Sequence, residues 1–146
     1  MGKEIEHKYL VISDEYKHLS DRHFFIRQGY LSRDPERVVR IRVAGDKAYI
    51  TVKGITTEDS RLEFEYPIQV HDAEEMLDLC VPPVIRKTRY IVPYKGFIWE
   101  VDEFESPRRF TLAEIELPSS DTRYVLPPFV GENVTGNPAY YNSTLC

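Results

Sequence analysis

Residues 4–8 read Glu-Ile-Glu-His-Lys, a segment in which charged and bulkier residues alternate. Strict alternation is typical of a β-strand, in which residues two apart point to the same face of the sheet. Glu4, Glu6 and Lys8 therefore share one face, and the residues between them share the other. Because the alternation continues over residues 3–12, this stretch predicts one long strand with a charged face.

Further segments carry the same alternating or β-branched pattern, so the sequence predicts eight strands in all. The other predicted strands are 23–32, 36–44, 47–54, 61–70, 85–93, 97–105 and 110–117. Turn residues between several of them indicate hairpins, which makes the sheet antiparallel. Helices are predicted at 13–22, 71–79 and 119–126. The fold class is therefore mainly β (α+β), in a single domain over residues 1–146.

The composition restricts the kinds of partner. The chain has 146 residues and a net charge of −5, whereas general nucleic-acid or membrane-surface binders are usually basic. No stretch approaches the roughly 18 apolar residues of a membrane helix, and the charged N-terminus is unlike a signal peptide. Cys80 and Cys146 show neither metal-site spacing nor a disulfide framework. We therefore expect a cytoplasmic protein with no nucleic-acid and no membrane partner.

Pairs of carboxylates two residues apart recur on the predicted strands. They occur at positions 4 and 6, 63 and 65, and 114 and 116. Two carboxylates about 6.7 Å apart repel by about 2.5 kcal/mol at an effective dielectric constant of about 20. Clustered carboxylate oxygens are the ligands that Mg²⁺ and Mn²⁺ prefer. These pairs therefore favour a site for divalent cations.

Basic pairs recur in the same way, at 40–42 and 87–89. Arginine forks suit phosphate oxygens, so these pairs favour an anionic ligand. A simpler alternative stays open, because the strands of a β-sandwich also turn charges to water and apolar residues to the core. Solvent-facing strands usually mix the two signs, however, since unlike neighbours stabilise and like neighbours repel. The dominance of same-sign pairs therefore favours a binding site.

The charges balance if the eight strands close into a barrel with these faces inward, since such a barrel can hold one small ligand. The inward acids are then Glu4, Glu6, Glu63, Glu65, Asp102, Glu114 and Glu116. The inward bases are Lys8, Arg40, Arg42, Lys53, Lys87 and Arg89. Two divalent ions bring the resulting charge of −1 to +3. A triphosphate carries roughly four to five negative charges, so the interior approaches neutrality only with metal and triphosphate together.

The ordered set of motifs resembles the CYTH-type triphosphate tunnel metalloenzymes over nearly the whole chain. The motifs that carry the resemblance are Glu4-Ile5-Glu6-His7-Lys8, Gln28-Gly29-Tyr30-Leu31, Val39-Arg40-Ile41-Arg42, Thr51-Val52-Lys53, Glu63-Phe64-Glu65, Lys87-Thr88-Arg89-Tyr90, Trp99-Glu100-Val101-Asp102, Ala113-Glu114-Ile115-Glu116, and a closing segment with Val134-Thr135 and Tyr140-Tyr141-Asn142. The resemblance implies an eight-stranded antiparallel closed β-tunnel with a few helices packed outside. It also implies that bases inside the tunnel bind phosphates and that carboxylates hold Mg²⁺ or Mn²⁺, with two ions expected.

The resemblance assigns a role to each inward residue. The metal ligands are expected to be Glu4, Glu6, Asp102, Glu114 and Glu116, followed by Glu63 and Glu65. The phosphate ligands are expected to be Lys8, Arg40, Arg42, Lys53, Lys87 and Arg89. Catalysis is expected to depend on Glu4 and Glu6, on Lys8 polarising the scissile bond, and on Tyr30 as its proton-donating partner.

Several residues depart from the family pattern or lie outside it. The family's usual Arg between the second Glu and the Lys is replaced by His7, which by alternation faces away from the tunnel, so the absence of Arg is expected to be tolerated. Arg61 is either an inward base or an exposed strand residue, and exposure is favoured. Glu100 is a candidate for a salt bridge at the tunnel mouth. Four aromatic side chains on the outer face are expected to pack against helices or a second subunit, which makes a homodimer possible: Tyr9, Tyr66, Phe97 and Trp99.

The function expected from the resemblance is metal-dependent hydrolysis of inorganic tripolyphosphate to pyrophosphate and phosphate. A compact chain without an added domain shows no obvious platform for a nucleoside or for thiamine. Two enzyme alternatives stay open, an adenylyl cyclase and a thiamine or nucleoside triphosphatase. A third alternative is a non-catalytic module that binds triphosphate or polyphosphate.

Overall fold

The computed structural model describes residues 2–140, which form nine strands, two α-helices and one 3₁₀ turn. The strands are β1 (Gly2–Val11), β2 (Arg22–Ser32), β3 (Val38–Ala44), β4 (Lys47–Lys53), β5 (Ser60–Ile68), β6 (Val81–Tyr94), β7 (Phe97–Ser106), β8 (Phe110–Glu116) and β9 (Val130–Asn133). The helices are α1 (Tyr16–Leu19) and α2 (Val70–Leu79), and the 3₁₀ turn is Pro138–Tyr140. None of these helices is long and apolar enough to cross a membrane.

The first eight strands close into an antiparallel barrel. Their order is β5-β4-β3-β2-β6-β7-β8-β1, and β5 pairs back onto the start of β1. The closed eight-stranded antiparallel fold predicted from the sequence is therefore confirmed. The sequence did not predict β9, a four-residue strand that pairs with β1 near Tyr9 and Val11.

Two layers cover parts of the outer face of the barrel. Helix α2 places Ala73 and Leu77 against Ile41 and Val43 of β3. On the other side, Trp99 and its neighbours pack beneath Tyr16 and an irregular segment at 124–130. Both layers bury the apolar sides of strands whose other sides face the barrel interior, as expected for amphipathic strands.

The expected outer-face packing is found for three of four aromatic side chains. Tyr9 and Trp99 are buried, and Phe97 packs edge-to-face against Tyr124. The covering element is the irregular segment, where a helix or a second subunit was expected. Tyr66 on β5 stays 52% exposed.

The helix predicted at 119–126 is wrong. Thr122 N–H donates to Ser119 O in a single turn, and no helix follows. The physical reason is tertiary packing, because the Tyr124 ring lies against Tyr9 and Trp99 and holds the chain in an extended path. The predicted helix 13–22 is shorter than expected for a similar reason, since β2 begins to pair with β6 at Arg22.

An apolar cluster fills the barrel interior at the end where β1 finishes. Tyr30, Phe104 and Leu112 pack there with Val134, and Tyr140 lies against them. The Val134 N–H donates to Lys8 O, which attaches the closing segment to β1. The rest of that predicted segment, Tyr141 and Asn142, lies outside the described residues. The polar part of the interior is therefore displaced toward the other end of the barrel.

Candidate active site

A polar cavity of about 180 Å³ occupies the barrel interior. One water molecule needs only about 10–15 Å³, so the cavity has room for a polyatomic ligand. Seven carboxylates line it, namely Glu4, Glu6, Glu63, Glu65, Glu100, Glu114 and Glu116. Six cationic side chains line it as well, namely Lys8, Arg40, Arg42, Lys53, Arg61 and Arg89. The side chains that the sequence placed inward therefore meet in one site, with two exceptions described below.

One wall of the cavity concentrates carboxylates. Glu6 on β1 lies directly opposite Glu116 on β8, and Lys8 lies opposite Glu114. Glu114 in turn lies opposite Glu100 on β7. Side chains directly opposite each other on neighbouring strands are about 4.5–5.5 Å apart at Cβ, so these acids repel one another.

This repulsion appears in the protonation of the acids. Burial within the barrel, together with the charges of Glu4 and Glu63 among others, raises the pKa of Glu116 to about 7. Burial and the charge of Glu6 raise the pKa of Glu114. Burial also raises the pKa of Glu4, although Lys53 opposes the shift. The wall therefore holds more negative charge than its basic neighbours neutralise, which is the condition that favours a bound cation.

The opposite wall concentrates cations. Arg40 Nη2 lies 3.2 Å from Thr51 Oγ1 and 3.3 Å from Glu65 Oε2. Arg42 Nε donates to Gln28 Oε1 at 3.0 Å. Burial, with the charges of Arg40 and Arg89, lowers the pKa of Arg42 to about 9. Arg42 thus stays charged at neutral pH at a cost that an anion beside it would reduce.

Two lysines bridge between carboxylates inside the cavity. Lys53 Nζ lies 3.1 Å from Glu4 and 3.2 Å from Glu63. Lys8 Nζ lies 3.6 Å from Glu6 and 3.9 Å from Glu114. Burial lowers the pKa of Lys8, but the nearby glutamates outweigh burial and the net shift is upward. Lys8 is therefore protonated at neutral pH.

Two of the predicted inward residues lie beneath the cavity, outside its lining. Lys87 is fully buried, and Asp102 is 1% exposed. Asp102 accepts from Lys87 Nζ at 2.6 Å and from Arg89 through two hydrogen bonds of 2.8 Å. Burial raises the pKa of Asp102, but Arg89 and Lys87 lower it further, so its carboxylate is ionised.

Sequence reasoning missed part of the lining. Arg61 was expected to be exposed, and this expectation was wrong, because its side chain lines the cavity. Its position two residues before Glu63 on the same strand face was the signal that pointed inward. Gln28, fully buried beside Arg42, was not singled out either. Glu100 forms the expected salt bridge, 3.3 Å from Arg89.

His7 faces away from the cavity, as alternation predicted. Its Nδ1 lies 2.5 Å from Tyr124 Oη, and its Nε2 lies 3.0 Å from Asp59 Oδ2. Two further hydrogen bonds extend this network. The Tyr9 hydroxyl bonds to the Tyr124 hydroxyl, and the Ser120 hydroxyl donates to the other oxygen of Asp59. The residue between Glu6 and Lys8 is therefore an anchor for two surface segments.

Two buried polar atoms in the cavity have no hydrogen-bond partner among residues 2–140. They are Arg40 Nε, a donor, and Glu114 Oε1, an acceptor. Buried polar atoms of this kind are rare and call for a ligand, water or ion. Among residues 2–140, no three His, Cys, Asp or Glu side chains are placed so that they already form a metal site. Acids of the cavity instead form salt bridges with lysines, as Glu4 does with Lys53.

Comparisons with known proteins agree with this architecture. The CYTH domain model matches residues 2–138. An inorganic triphosphatase of Acetivibrio thermocellus is 49% identical over 147 residues, covering 99% of this chain and 94% of that protein. An inorganic triphosphatase of Nitrosomonas europaea is 32% identical over 154 residues, covering 97% of this chain and 95% of that protein.

A crystal structure of an inorganic triphosphatase aligns with a TM-score of 0.65 at 31% identity, covering 97% of this chain and 93% of that one. The fold, the ordered charged strands and the match to the domain model thus point to one family. The chain belongs to the CYTH domain family.

Proposed function

We propose that this chain is an inorganic triphosphatase, which hydrolyses tripolyphosphate to pyrophosphate and phosphate with Mg²⁺ or Mn²⁺. The observation that carries the proposal is the cavity itself, a space of about 180 Å³ that is lined by six cationic side chains and seven carboxylates. Two relatives that this chain resembles over nearly its whole length are named inorganic triphosphatase. Their names support the proposed substrate.

The cationic wall supports binding of the phosphates. Arg40 and Arg42 present two guanidinium groups side by side on β3, and Arg89 faces them from β6. The unpartnered Arg40 Nε is a donor that a phosphate oxygen would satisfy. Lys53 and Lys8 add two ammonium groups. We assign these five residues to phosphate binding.

The acidic wall supports binding of divalent cations. Its donors are carboxylate oxygens only, the type that Mg²⁺ and Mn²⁺ prefer. Within residues 2–140, Glu114 Oε1 is buried without a hydrogen-bond partner, and the pKa of Glu116 is raised by burial and by the surrounding acids. The residues therefore fit such an ion, and we assign Glu6, Glu114 and Glu116 to hold it, with Glu4 beside them.

Two carboxylates on β5 complete the proposed set of metal-binding acids. Glu63 and Glu65 lie on β5, where Lys53 and Arg40 contact them. We propose two ions in total, as the charge balance of the barrel interior suggests. A bound divalent ion neutralises phosphate charge and lowers the pKa of a coordinated water.

Lys8 and Tyr30 are the proposed catalytic partners of this metal site. Lys8 is protonated and stands between the acidic wall and the closed end of the cavity. In this position it can donate a hydrogen bond to the oxygen of the scissile bond as negative charge develops there. Tyr30 lines the same cavity and is the candidate proton donor to the leaving phosphate.

The lining favours an inorganic substrate over a nucleotide. Within the described part of the chain, Tyr30 and Val38 are the two lining residues without a formal charge, and both belong to the apolar cluster. A base or a thiazolium ring gains affinity mainly from apolar and aromatic contacts. The cavity interior offers little of either.

A single assay separates the proposed function from its alternatives. Purified protein is incubated with tripolyphosphate, ATP or thiamine triphosphate, with and without Mg²⁺ or Mn²⁺, and the products are identified. We expect metal-dependent release of orthophosphate from tripolyphosphate. Cyclic AMP with pyrophosphate from ATP indicates a cyclase, preferred turnover of ATP or thiamine triphosphate indicates an organic triphosphatase, and binding without turnover indicates a binding module.

The cytoplasmic location and the homodimer stay predictions. The outer face of β4 and β5 exposes Val52, Leu62, Phe64 and Tyr66, which form a row of apolar side chains across two paired strands. This face is where we expect a second copy to pack if a dimer forms. Light scattering coupled to size-exclusion chromatography measures the mass directly, and a monomer across the micromolar range contradicts the expectation.

A further inference from the structure

The carboxylate of Asp102 accepts three hydrogen bonds from two basic side chains. Arg89 Nε donates to Oδ1 at 2.8 Å, and Arg89 Nη2 donates to Oδ2 at 2.8 Å. Lys87 Nζ donates to Oδ2 at 2.6 Å. Charge-assisted bonds of this kind are among the strongest in proteins. A metal ion that took Asp102 as a ligand would have to share its carboxylate with the two basic groups that already bind it.

The depth of Asp102 separates it from the acids of the cavity wall. Asp102 is 1% exposed and does not line the cavity, whereas Glu100, two residues earlier on the same strand face, does. Asp102 lies opposite Leu112 on β8, at the level of the apolar cluster. Its position is therefore one layer deeper than that of Glu114.

The geometry fixes the orientation of Arg89. Arg89 and Asp102 lie opposite each other on β6 and β7, so their side chains meet on the inward face. The two parallel hydrogen bonds hold the guanidinium plane. The remaining nitrogen, Nη1, donates to Glu100 Oε2 at 3.3 Å, and both Arg89 and Glu100 line the cavity. The Arg89 side chain is therefore preorganised for an anion in the free protein.

Lys87 is the second basic residue that contacts Asp102. Its ammonium group contacts Asp102 and lies 5.0 Å from the centre of the Phe104 ring. Because Lys87 is fully buried and does not line the cavity, its charge acts on Asp102. Lys87 and Arg89 thus hold the Asp102 carboxylate from two sides, and Arg89 is the member of the three that lines the cavity.

We propose that Asp102 is a positioning residue of the phosphate site, which orients Arg89 toward the anion, and that it is not a ligand of the metal ion. The inference rests on the proposed function, because it names the anion that Arg89 receives. It reassigns Asp102 from the metal set in which the sequence placed it, and it reassigns Lys87 from direct phosphate contact to support of Asp102.

The test measures phosphate binding and metal binding separately. Asp102→Asn, Arg89→Lys, the double variant and wild type are titrated calorimetrically with tripolyphosphate in the presence of EDTA, and then with Mn²⁺ alone. Asp46→Asn, in the exposed turn between β3 and β4, is the matched control. Arg89→Lys keeps the charge and removes the fork.

We expect Asp102→Asn to weaken metal-free tripolyphosphate binding by about tenfold, with the Mn²⁺ affinity unchanged. Arg89→Lys should show the same loss, and the double variant should be no weaker than either single one, because both changes act through one group. A tenfold loss of Mn²⁺ affinity with intact tripolyphosphate binding overturns the inference. Additive losses in the double variant overturn it too.

A second variant covers the case in which Asp102→Asn does not fold. Lys87→Gln combined with Asp102→Asn removes both buried charges and keeps an amide pair at this position. The same two titrations apply to it, with the same expected and contrary results. If the wild-type protein binds no tripolyphosphate, both the proposed function and this inference fail. If the wild type binds tripolyphosphate and the variant loses only Mn²⁺ affinity, the inference alone is refuted.

Discussion

Glu6 on β1 and Glu116 on β8 lie directly opposite each other in the barrel wall, with both side chains lining the cavity. Like charges in this position destabilise a strand pair. Lys8, the cation beside Glu6, lies 3.6 Å away and is shared with Glu114. The pair is therefore short of positive charge in the free protein, and this shortage leads to two predictions.

The first prediction concerns Glu6→Gln. Gln removes the charge that a divalent ion needs while keeping the shape of the side chain, so turnover of tripolyphosphate should fall by at least about 100-fold. The melting temperature without metal should stay equal or rise, because the repulsion with Glu116 is gone. Glu132→Gln, on the exposed strand β9, is the control and should change neither quantity. Wild-type turnover in Glu6→Gln would mean that the metal site is misassigned.

The second prediction concerns pH. The pKa of Glu116 is raised from its ordinary value of 4.5 to about 7 in the folded protein. Between these two values the folded state binds more protons than the unfolded state, so the free energy of unfolding falls as pH rises from about 4.5 to about 7. Glu116→Gln should flatten this decline in metal-free protein.

Urea unfolding with EDTA at a series of pH values measures this effect. Glu105→Gln, exposed on the same barrel, is the control and should keep the wild-type slope. Mn²⁺ should oppose the decline, because binding to the ionised acids stabilises the folded state. Equal slopes of the wild type and Glu116→Gln from pH 4.5 to 7 contradict the assignment of Glu116.

Strand alternation, together with the closed barrel that the family resemblance implies, predicted most of the cavity lining. The two-residue period decides which face a side chain occupies, and closure of the barrel brings the charged faces together. For that reason Glu4 and Glu6, far from Glu114 and Glu116 in sequence, were placed in one site. Hairpin turns fix the order of most neighbouring strands, whereas closure of the sheet was predicted from the family resemblance, because the alternating pattern alone also fits a β-sandwich.

Alternation could not predict depth along the barrel axis. Lys87 and Asp102 are on the inward face, but the register of β6 against β7 sets them beside Phe104 and Leu112. Register depends on the packing of several strands at once, and no single segment of sequence reports it. Arg61 shows the converse case, since pairing with Glu4 across β1 and β5 brings an apparently exposed residue to the cavity.

The third prediction concerns His7. Its ring joins Asp59 and Tyr124 by hydrogen bonds, and all three side chains are partly buried. His7→Ala leaves the carboxylate and the hydroxyl without this partner, so the free energy of unfolding should fall by about 1–3 kcal/mol. His18→Ala, on the exposed face of α1, should change it by less than about 0.5 kcal/mol.

Activity measurements extend the test of His7. The ring anchors the strand segment between Glu6 and Lys8 from the outside, so kcat should fall moderately in His7→Ala under conditions where the protein is folded. Equal unfolding free energies of His7→Ala and wild type would show that the network does not stabilise the barrel.

The fourth prediction concerns the approach of α2 to β2 at Gly29. A Cβ at Gly29 would lie 2.8 Å from Cys80 Cβ and 2.9 Å from Cys80 Sγ, closer than real atoms approach. Gly29→Ala therefore forces the end of α2 away from the barrel, and the unfolding free energy should fall by about 1–3 kcal/mol. Gly54→Ala is the matched control, because its Cβ would meet Leu62 at an ordinary 3.6 Å.

Comparison of the two variants decides the cause. Urea unfolding should show Gly29→Ala clearly destabilised and Gly54→Ala close to wild type, since only the first meets a close neighbour. In the Cys80→Gly background both close atoms are absent, so Gly29→Ala should cost less stability there than it does in the wild type. If the combined loss equals the sum of the two single losses, the contact with Cys80 is not the reason that residue 29 is a glycine.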